Sequence, residues 1–151
     1  MVLCMNVELC RDIDWLMSVE AFCIYAPCMY KPTSDKYIAE MTRYISDPSV
    51  RIYIGKERDK IVGMLVLRED SDASEIVGVA VSESMRKCGI GKNMISKVLE
   101  TEHPERIIAQ TDDDAVGFYR RCGFTDEKTY TEYPDGTSVR YNCTLNRRKN
   151  I

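Results

Sequence analysis

The stretch Val79-Ala-Val-Ser-Glu-Ser-Met-Arg-Lys-Cys-Gly-Ile-Gly-Lys92 constrains the fold more than any other, because an apolar strand runs through Arg86-x-x-Gly89-x-Gly91 into an amphipathic helix. That helix carries Ile90, Met94, Ile95, Val98 and Leu99 on one face and is closed by Pro104, and Arg106 to Thr111 then reads as another strand. Strand, helix and strand in this order imply one parallel crossover. The connecting turn has the chemistry of an anion cradle. Its glycines let the backbone turn sharply and approach a ligand, and N–H groups at a helix start have no internal partner. Arg86, Lys87 and Lys92 add positive charge. The loop therefore suggests a diphosphate-bearing cofactor, although a tight turn with solvated basic residues explains the same letters.

Two nucleotide motifs fail at identifiable positions. A Walker A loop needs Gly where Arg86 stands and Ser or Thr where Asn93 stands. A dinucleotide fingerprint anchored on Gly89 and Gly91 needs its third small residue at Met94, which is too bulky for close helix–strand packing. Nucleotide hydrolysis and NAD chemistry are disfavoured.

Elsewhere the pattern predicts a strand over Val2 to Leu9, then one helix capped by Asp12 or Asp14 and ended by Pro27. Ile13, Leu16, Met17, Ala21 and Ile24 lie on its inner side. A second helix follows Pro32-Thr33-Ser34, with Tyr37, Ile38, Met41, Tyr44 and Ile45 at helical spacing and Pro48 beyond its end. Arg51 to Gly55 and Ile61 to Arg68 form a hairpin, and Glu75 to Val81 is a third central strand. A short helix spans Tyr119. Pro134-Asp-Gly136 then turns a terminal hairpin between Glu127 to Tyr133 and Ser138 to Leu145. The order βααβββαβαββ is a mixed α/β (α+β) fold with a mostly antiparallel central sheet.

With 151 residues the chain is long enough for one domain and short for two. A net charge of −3 provides no basic field for nucleic acid and is compatible with a cationic acceptor. The seven cysteines form no Cys-x-x-Cys pair and have no zinc-ligand spacing, so no metal is expected. Their odd number and scatter, without a cleavable secretory segment, favour a reduced, cytoplasmic setting, with most of them as small core residues. No apolar stretch has the length of a membrane span. The basic residues 147–151 read as a solvated tail after a domain over 1–146.

A second constellation narrows the ligand. Thr111-Asp-Asp-Asp-Ala-Val-Gly-Phe-Tyr-Arg-Arg-Cys-Gly-Phe124 reads as a helix capped by its acidic run and stopped at Gly123. Arg-x-x-Gly-x-Gly (Arg86, Gly89, Gly91) followed by Ala-Val-x-Phe-Tyr-x-x-x-Gly-Phe (Ala115, Phe118, Tyr119, Gly123, Phe124) resembles the GNAT N-acetyltransferase superfamily. The resemblance is close over about a third of the chain. It implies an acyl-CoA N-acyltransferase fold whose sheet splays open beside the cofactor, and transfer of acetyl from acetyl-CoA to a primary amine within a ternary complex.

Residue by residue, the resemblance implies that Val79, Ala80 and Val81 meet the pantetheine arm. Arg86, Lys87, Cys88, Gly89, Ile90, Gly91 and Lys92 would cradle the pyrophosphate. Tyr119 would protonate the departing thiolate, and Glu75 would serve as general base, as in the histone-acetylating branch. Each has a plain structural alternative: Tyr119 as a core aromatic, Glu75 as an exposed strand end, with Glu69 and Asp70 as substitute bases. Asp112 stands where many members have a cofactor-contacting asparagine; it accepts hydrogen bonds but cannot donate them, and helix capping suits it better. The partner expected is an amine acceptor, small molecule or protein, with no nucleic acid or membrane and with room for a homodimer. A non-catalytic acyl-CoA sensor of the same fold is the alternative.

Overall fold

The crossover implied by the glycine turn joins the two strands at the centre of one twisted sheet. In the computed structural model, which describes residues 5–146, the elements are β1 (Met5–Leu9), α1 (Ile13–Leu16), α2 (Val19–Tyr25), α3 (Ser34–Ser46), β2 (Val50–Glu57), β3 (Lys60–Glu69) and β4 (Ser74–Val81). They continue with α4 (Ile90–Glu102), β5 (Arg106–Thr111), α5 (Val116–Arg121), β6 (Thr125–Tyr133) and β7 (Gly136–Asn146). The strand order is β1-β2-β3-β4-β5-β7-β6. Pairing is antiparallel except between β4 and β5, which gives the mixed, mostly antiparallel sheet expected. The expected tail at 147–151 and the start of the first strand lie outside the described residues.

The helix expected from Asp12 to Pro27 is instead two. Asp12 caps α1 by accepting the Trp15 N–H, but Ser18 takes up extended backbone and its hydroxyl accepts the Ala21 N–H, starting α2. A serine able to cap competes with helix continuation, and here it wins. Leu16, Ala21 and Ile24 are buried as the periodicity required, whereas Ile13 is exposed; in α3 likewise Tyr37, Met41 and Tyr44 are buried while Ile38 and Ile45 are exposed. Pro27 sits in a short 3-10 turn over Ala26–Cys28.

Helices cover both faces of the sheet. On one, α4 and α5 place Ile90, Met94, Val98 and Tyr119 against Leu65, Leu67 and Ile107. On the other, α1 to α3 place Leu16, Tyr25, Tyr37 and Met41 against Met64 and Val66. Of the described cysteines only Cys143 is buried; Cys10, Cys88 and Cys122 are half-buried, and Cys23 and Cys28 are exposed. This corrects the expectation that most are core residues. Among the described residues no helix is long and apolar enough to cross a membrane.

Two irregularities shape β4. Val66 pairs with Gly78 and Leu67 with Ile76, so Val77 is a bulge, and the side-chain alternation shifts by one beyond it. Val79 and Val81 therefore pack toward α4 and α5, while Ala80 packs toward the other helices. Pairing with β5 covers only Ser74↔Ile107, Glu75↔Ile108 and Ile76↔Ala109. From Gly78 onward β4 has no neighbour on that side, whereas β5 stays paired with β7 through Thr111. The expected splay is present.

Burial raises the phenols of Tyr25, Tyr37 and Tyr119 above their ordinary value near 10. It raises the Cys143 thiol in the same way. These groups stay protonated in the fold while the unfolded chain releases their protons, so stability falls as pH rises through the unfolded-state values. The unfolding temperature is expected to hold from pH 6 to 8, begin falling near about 9 as thiols ionise in the unfolded chain, and fall more steeply above about 10. A flat unfolding temperature through pH 11 would mean that these groups are not shielded.

Candidate active site

The open edge of β4 is the frame of the site. Ser82 N–H donates to the Val62 carbonyl at 2.7 Å, which in an antiparallel ladder turns the backbone groups of residues 78, 80 and 82 toward β3. Those of Val79 and Val81 consequently face the gap that β5 leaves. The Val79 carbonyl accepts a hydrogen bond from the Cys28 thiol at 3.3 Å, and the Val81 carbonyl accepts one from Arg86 Nε at 3.2 Å. Their N–H groups point the same way, as a strand edge that an amide-bearing chain can extend. Ala80, expected to act with them, has its backbone turned to β3 and its side chain buried under the first three helices; it spaces the two valines.

After β4 a 3-10 turn over Glu83–Met85 leads into the glycine loop. Lys87 and Gly89 both have positive φ, +63° and +78°. Gly89 begins α4 without a side-chain cap, and the Asn93 N–H donates to its carbonyl at 3.0 Å. The N–H groups of Ile90, Gly91 and Lys92 thus precede the first helical bond and carry the positive end of a thirteen-residue helix. The two glycines do different jobs. A Cβ at Gly89 would meet nothing within 4 Å, so the loop is open there; one at Gly91 would come 3.0 Å from the Phe118 ring, so Gly91 lets α4 pack on α5. The Cys88 thiol turns back to the Arg86 carbonyl at 3.6 Å. Asn93, in the first turn of α4, has a buried side-chain oxygen without a partner among the described residues.

Tyr119 projects from α5, which follows a turn fastened by Asp112, whose Oδ1 accepts the N–H groups of Asp114 and Ala115 at 3.1 Å each. Asp112 thus fastens the turn before the helix, whereas the N-cap position of α5 itself is Ala115, without the side-chain cap expected of the acidic run. Gly123, at φ +95°, stops the helix as the sequence pattern required. The Tyr119 ring packs edge-on to Phe118 and Phe124 at 5.2 and 5.3 Å. Its hydroxyl has no hydrogen-bond partner among the described residues. Burial, then the nearby Cys28 thiol, raise its pKa, so it stays protonated.

Glu75 opens β4 beside Arg68, whose Nη1 lies 3.2 Å from its Oε1. Glu69 is paired with Arg51 at 2.9 Å, and Asp70 accepts the Ser71 N–H at 2.7 Å, so the substitute carboxylates are engaged locally. His103 is an exposed residue at the C-cap of α4. Among the described residues no group of three or more metal-ligating side chains gathers.

The structure adds residues that the sequence reading did not select. Cys28 is exposed as a residue, yet its thiol lies amid dense protein, and this burial pushes it up to about 11. Tyr25 lies over Gly78, where a Cβ would come 2.3 Å from its hydroxyl oxygen. Glu40 of α3 accepts a hydrogen bond from the Tyr44 hydroxyl at 2.7 Å. No local motif marks these side chains; Pro27, which stops α2 just before Cys28, is the nearest signal.

These features fit a ligand with an amide-bearing arm and an anionic head: an unextended strand edge, an uncapped helix start with open space at Gly89, and basic residues around it. Comparison with known proteins agrees. The sequence profile of the acetyltransferase (GNAT) family matches residues 19–124. The ribosomal-protein-S18-alanine N-acetyltransferase of Escherichia coli superposes with a TM-score of 0.69 at 12% identity, covering 97% of this chain and 98% of that one. A GNAT family acetyltransferase from Elizabethkingia anophelis, solved with acetyl-CoA bound, gives 0.69 at 15% identity over 95% and 98%. A spermidine N-acetyltransferase SpeG chimera of Vibrio cholerae gives 0.71 at 12% over 94% and 95%. At these identities the structural matches speak for the fold, while the profile spans both the open strand edge and the Tyr119 helix. This chain belongs to the acetyltransferase (GNAT) family.

Proposed function

We propose that the chain transfers the acetyl group of acetyl-CoA to a primary amine by direct attack in a ternary complex. The observation that carries this reading is the gap at Val79 and Val81, bounded by an uncapped helix start on one side and a protonated, unpartnered phenol on the other. Backbone groups of Val79 and Val81 would pair with the pantetheine arm, and an N–H there would polarise the thioester carbonyl. The loop from Arg86 through Lys92, with the N–H groups of Ile90, Gly91 and Lys92, would hold the pyrophosphate. For Arg86 this asks its guanidinium to share itself between the Val81 carbonyl and phosphate.

In the transfer the amine nitrogen forms a bond to the thioester carbon, and the carbon–sulfur bond breaks. The amine loses a proton, and the thiolate gains one. Tyr119 supplies the second proton, a role suited to a phenol that burial keeps protonated. Glu75 is our choice of base, acting through water, since Arg68 already holds its carboxylate.

Free-thiol release from acetyl-CoA with a mixed amine panel tests the activity. Tyr119→Phe is expected to lower kcat about a hundredfold, with little change in KM for acetyl-CoA. Thermal stabilisation by coenzyme A without turnover of any amine would instead identify an acyl-CoA sensor.

The glycines separate binding from folding. Gly89→Val is expected to weaken coenzyme A binding, because a β-branched residue resists φ +78°, with the rest of the fold intact. Gly91→Val presses on Phe118 and is expected to cost about 1–3 kcal/mol of stability. Calorimetric titration with coenzyme A and thermal melts of both variants check this. Full affinity in folded Gly89→Val protein would remove the loop from the donor site.

A further inference from the structure

Beside the open edge of β4, on the side away from α4 and α5, Cys28, Met29, Tyr30, Lys36, Ala39, Glu40 and Arg43 line a cleft of about 320 Å³. That is within the range of small-molecule sites. Cys28 belongs to both regions, because its thiol hydrogen-bonds the Val79 carbonyl at the edge. The cleft therefore reaches the place where the thioester would lie.

Its charges are mixed and spatially ordered. Glu40 is half-buried, held by the Tyr44 hydroxyl at 2.7 Å. It lines the cleft together with Cys28, whose thiol bonds the Val79 carbonyl at the strand edge. Lys36 and Arg43 stand one turn to either side of it on α3, on the same face. The Lys36 ammonium donates to the Lys31 carbonyl at 3.0 Å. Arg43 makes no hydrogen bond or ion pair among the described residues. A polycation placed here would face two like charges and one carboxylate. A molecule carrying both an ammonium and a carboxylate would complement all three groups.

We infer that this cleft is the acceptor pocket and that it selects a small amine bearing a carboxylate, an amino-acid-like molecule. Its ammonium sits on Glu40, and its carboxylate on Arg43 and Lys36. The inference rests on the acetyltransferase reading above and adds the substrate class to it. Glu40 binds the amine before it loses its proton and points it at the Val79 edge. Arg43 offers the planar fork that a carboxylate accepts in pairs.

The test is thiol release from acetyl-CoA by the full-length protein, using glycine, β-alanine and leucine against their decarboxylated counterparts methylamine, ethylamine and isoamylamine, and against spermidine. The carboxylate-bearing amines are expected to exceed the others in kcat/KM by about tenfold or more. Arg43→Gln is expected to raise KM for them by about tenfold, with kcat nearly unchanged and no effect on the decarboxylated amines. Lys36→Gln should do the same more weakly, and both residues are exposed, so neither variant threatens the fold. Preference for spermidine, equal effects of Arg43→Gln on both classes, or no acetylation of any carboxylate-bearing amine by protein that coenzyme A stabilises would each overturn the substrate class and leave the donor site standing. Loss of coenzyme A stabilisation in the unaltered protein would remove the donor reading and this inference with it.

Discussion

The site depends on a pairing that stops early. Strands β4 and β5 share three residue pairs and then part. Had the ladder continued, the backbone groups of Val79 and Val81 would have been satisfied by β5, and no strand edge would exist inside the protein. An unpaired edge at the rim of a sheet invites aggregation. Here it opens at mid-sheet, with helices over both faces, so only a slender chain can reach it. The bulge at Val77 sets the phase by which Val79 and Val81, rather than Gly78 and Ala80, lie along that edge.

The two faces of the sheet supply different chemistry to the gap. From the α4 and α5 face come the helix start and Tyr119, whose burial keeps a proton in place. From the α1 to α3 face come Cys28 and Tyr25, which meet the same strand. Buried phenols on both sides make the surroundings of the gap poorly solvated, so each fixed dipole and charge there acts more strongly than it would in water.

Much of the fold is legible from local signals. The parallel crossover, the terminal hairpin at Pro134-Asp-Gly136, the stop at Gly123 and the turn at Asp112 follow from residue types whose backbone preferences act over a few positions. The break at Ser18 was missed because the apolar spacing continues across it while the hydroxyl caps a new helix. Gly91 reads like Gly89 in the sequence. Only the approach of Phe118, which lies 27 positions further along, reveals a packing role. The exposure of Cys23 and Cys28 was equally hidden, since cysteine as a residue type favours burial.

By itself the sequence determined the family and the glycine loop proposed for the donor, because that loop is consecutive backbone whose conformation is set by neighbouring residues. The open edge of β4 and the cleft proposed for the acceptor were decided only by tertiary structure. Cys28 reaches a carbonyl 51 residues away, and Glu40 shares a cleft with it only because α3 packs on the sheet beside the short turn that follows α2. Side-chain chemistry assembled from distant segments leaves no spacing to read, since the distances that matter arise from how helices seat on a sheet.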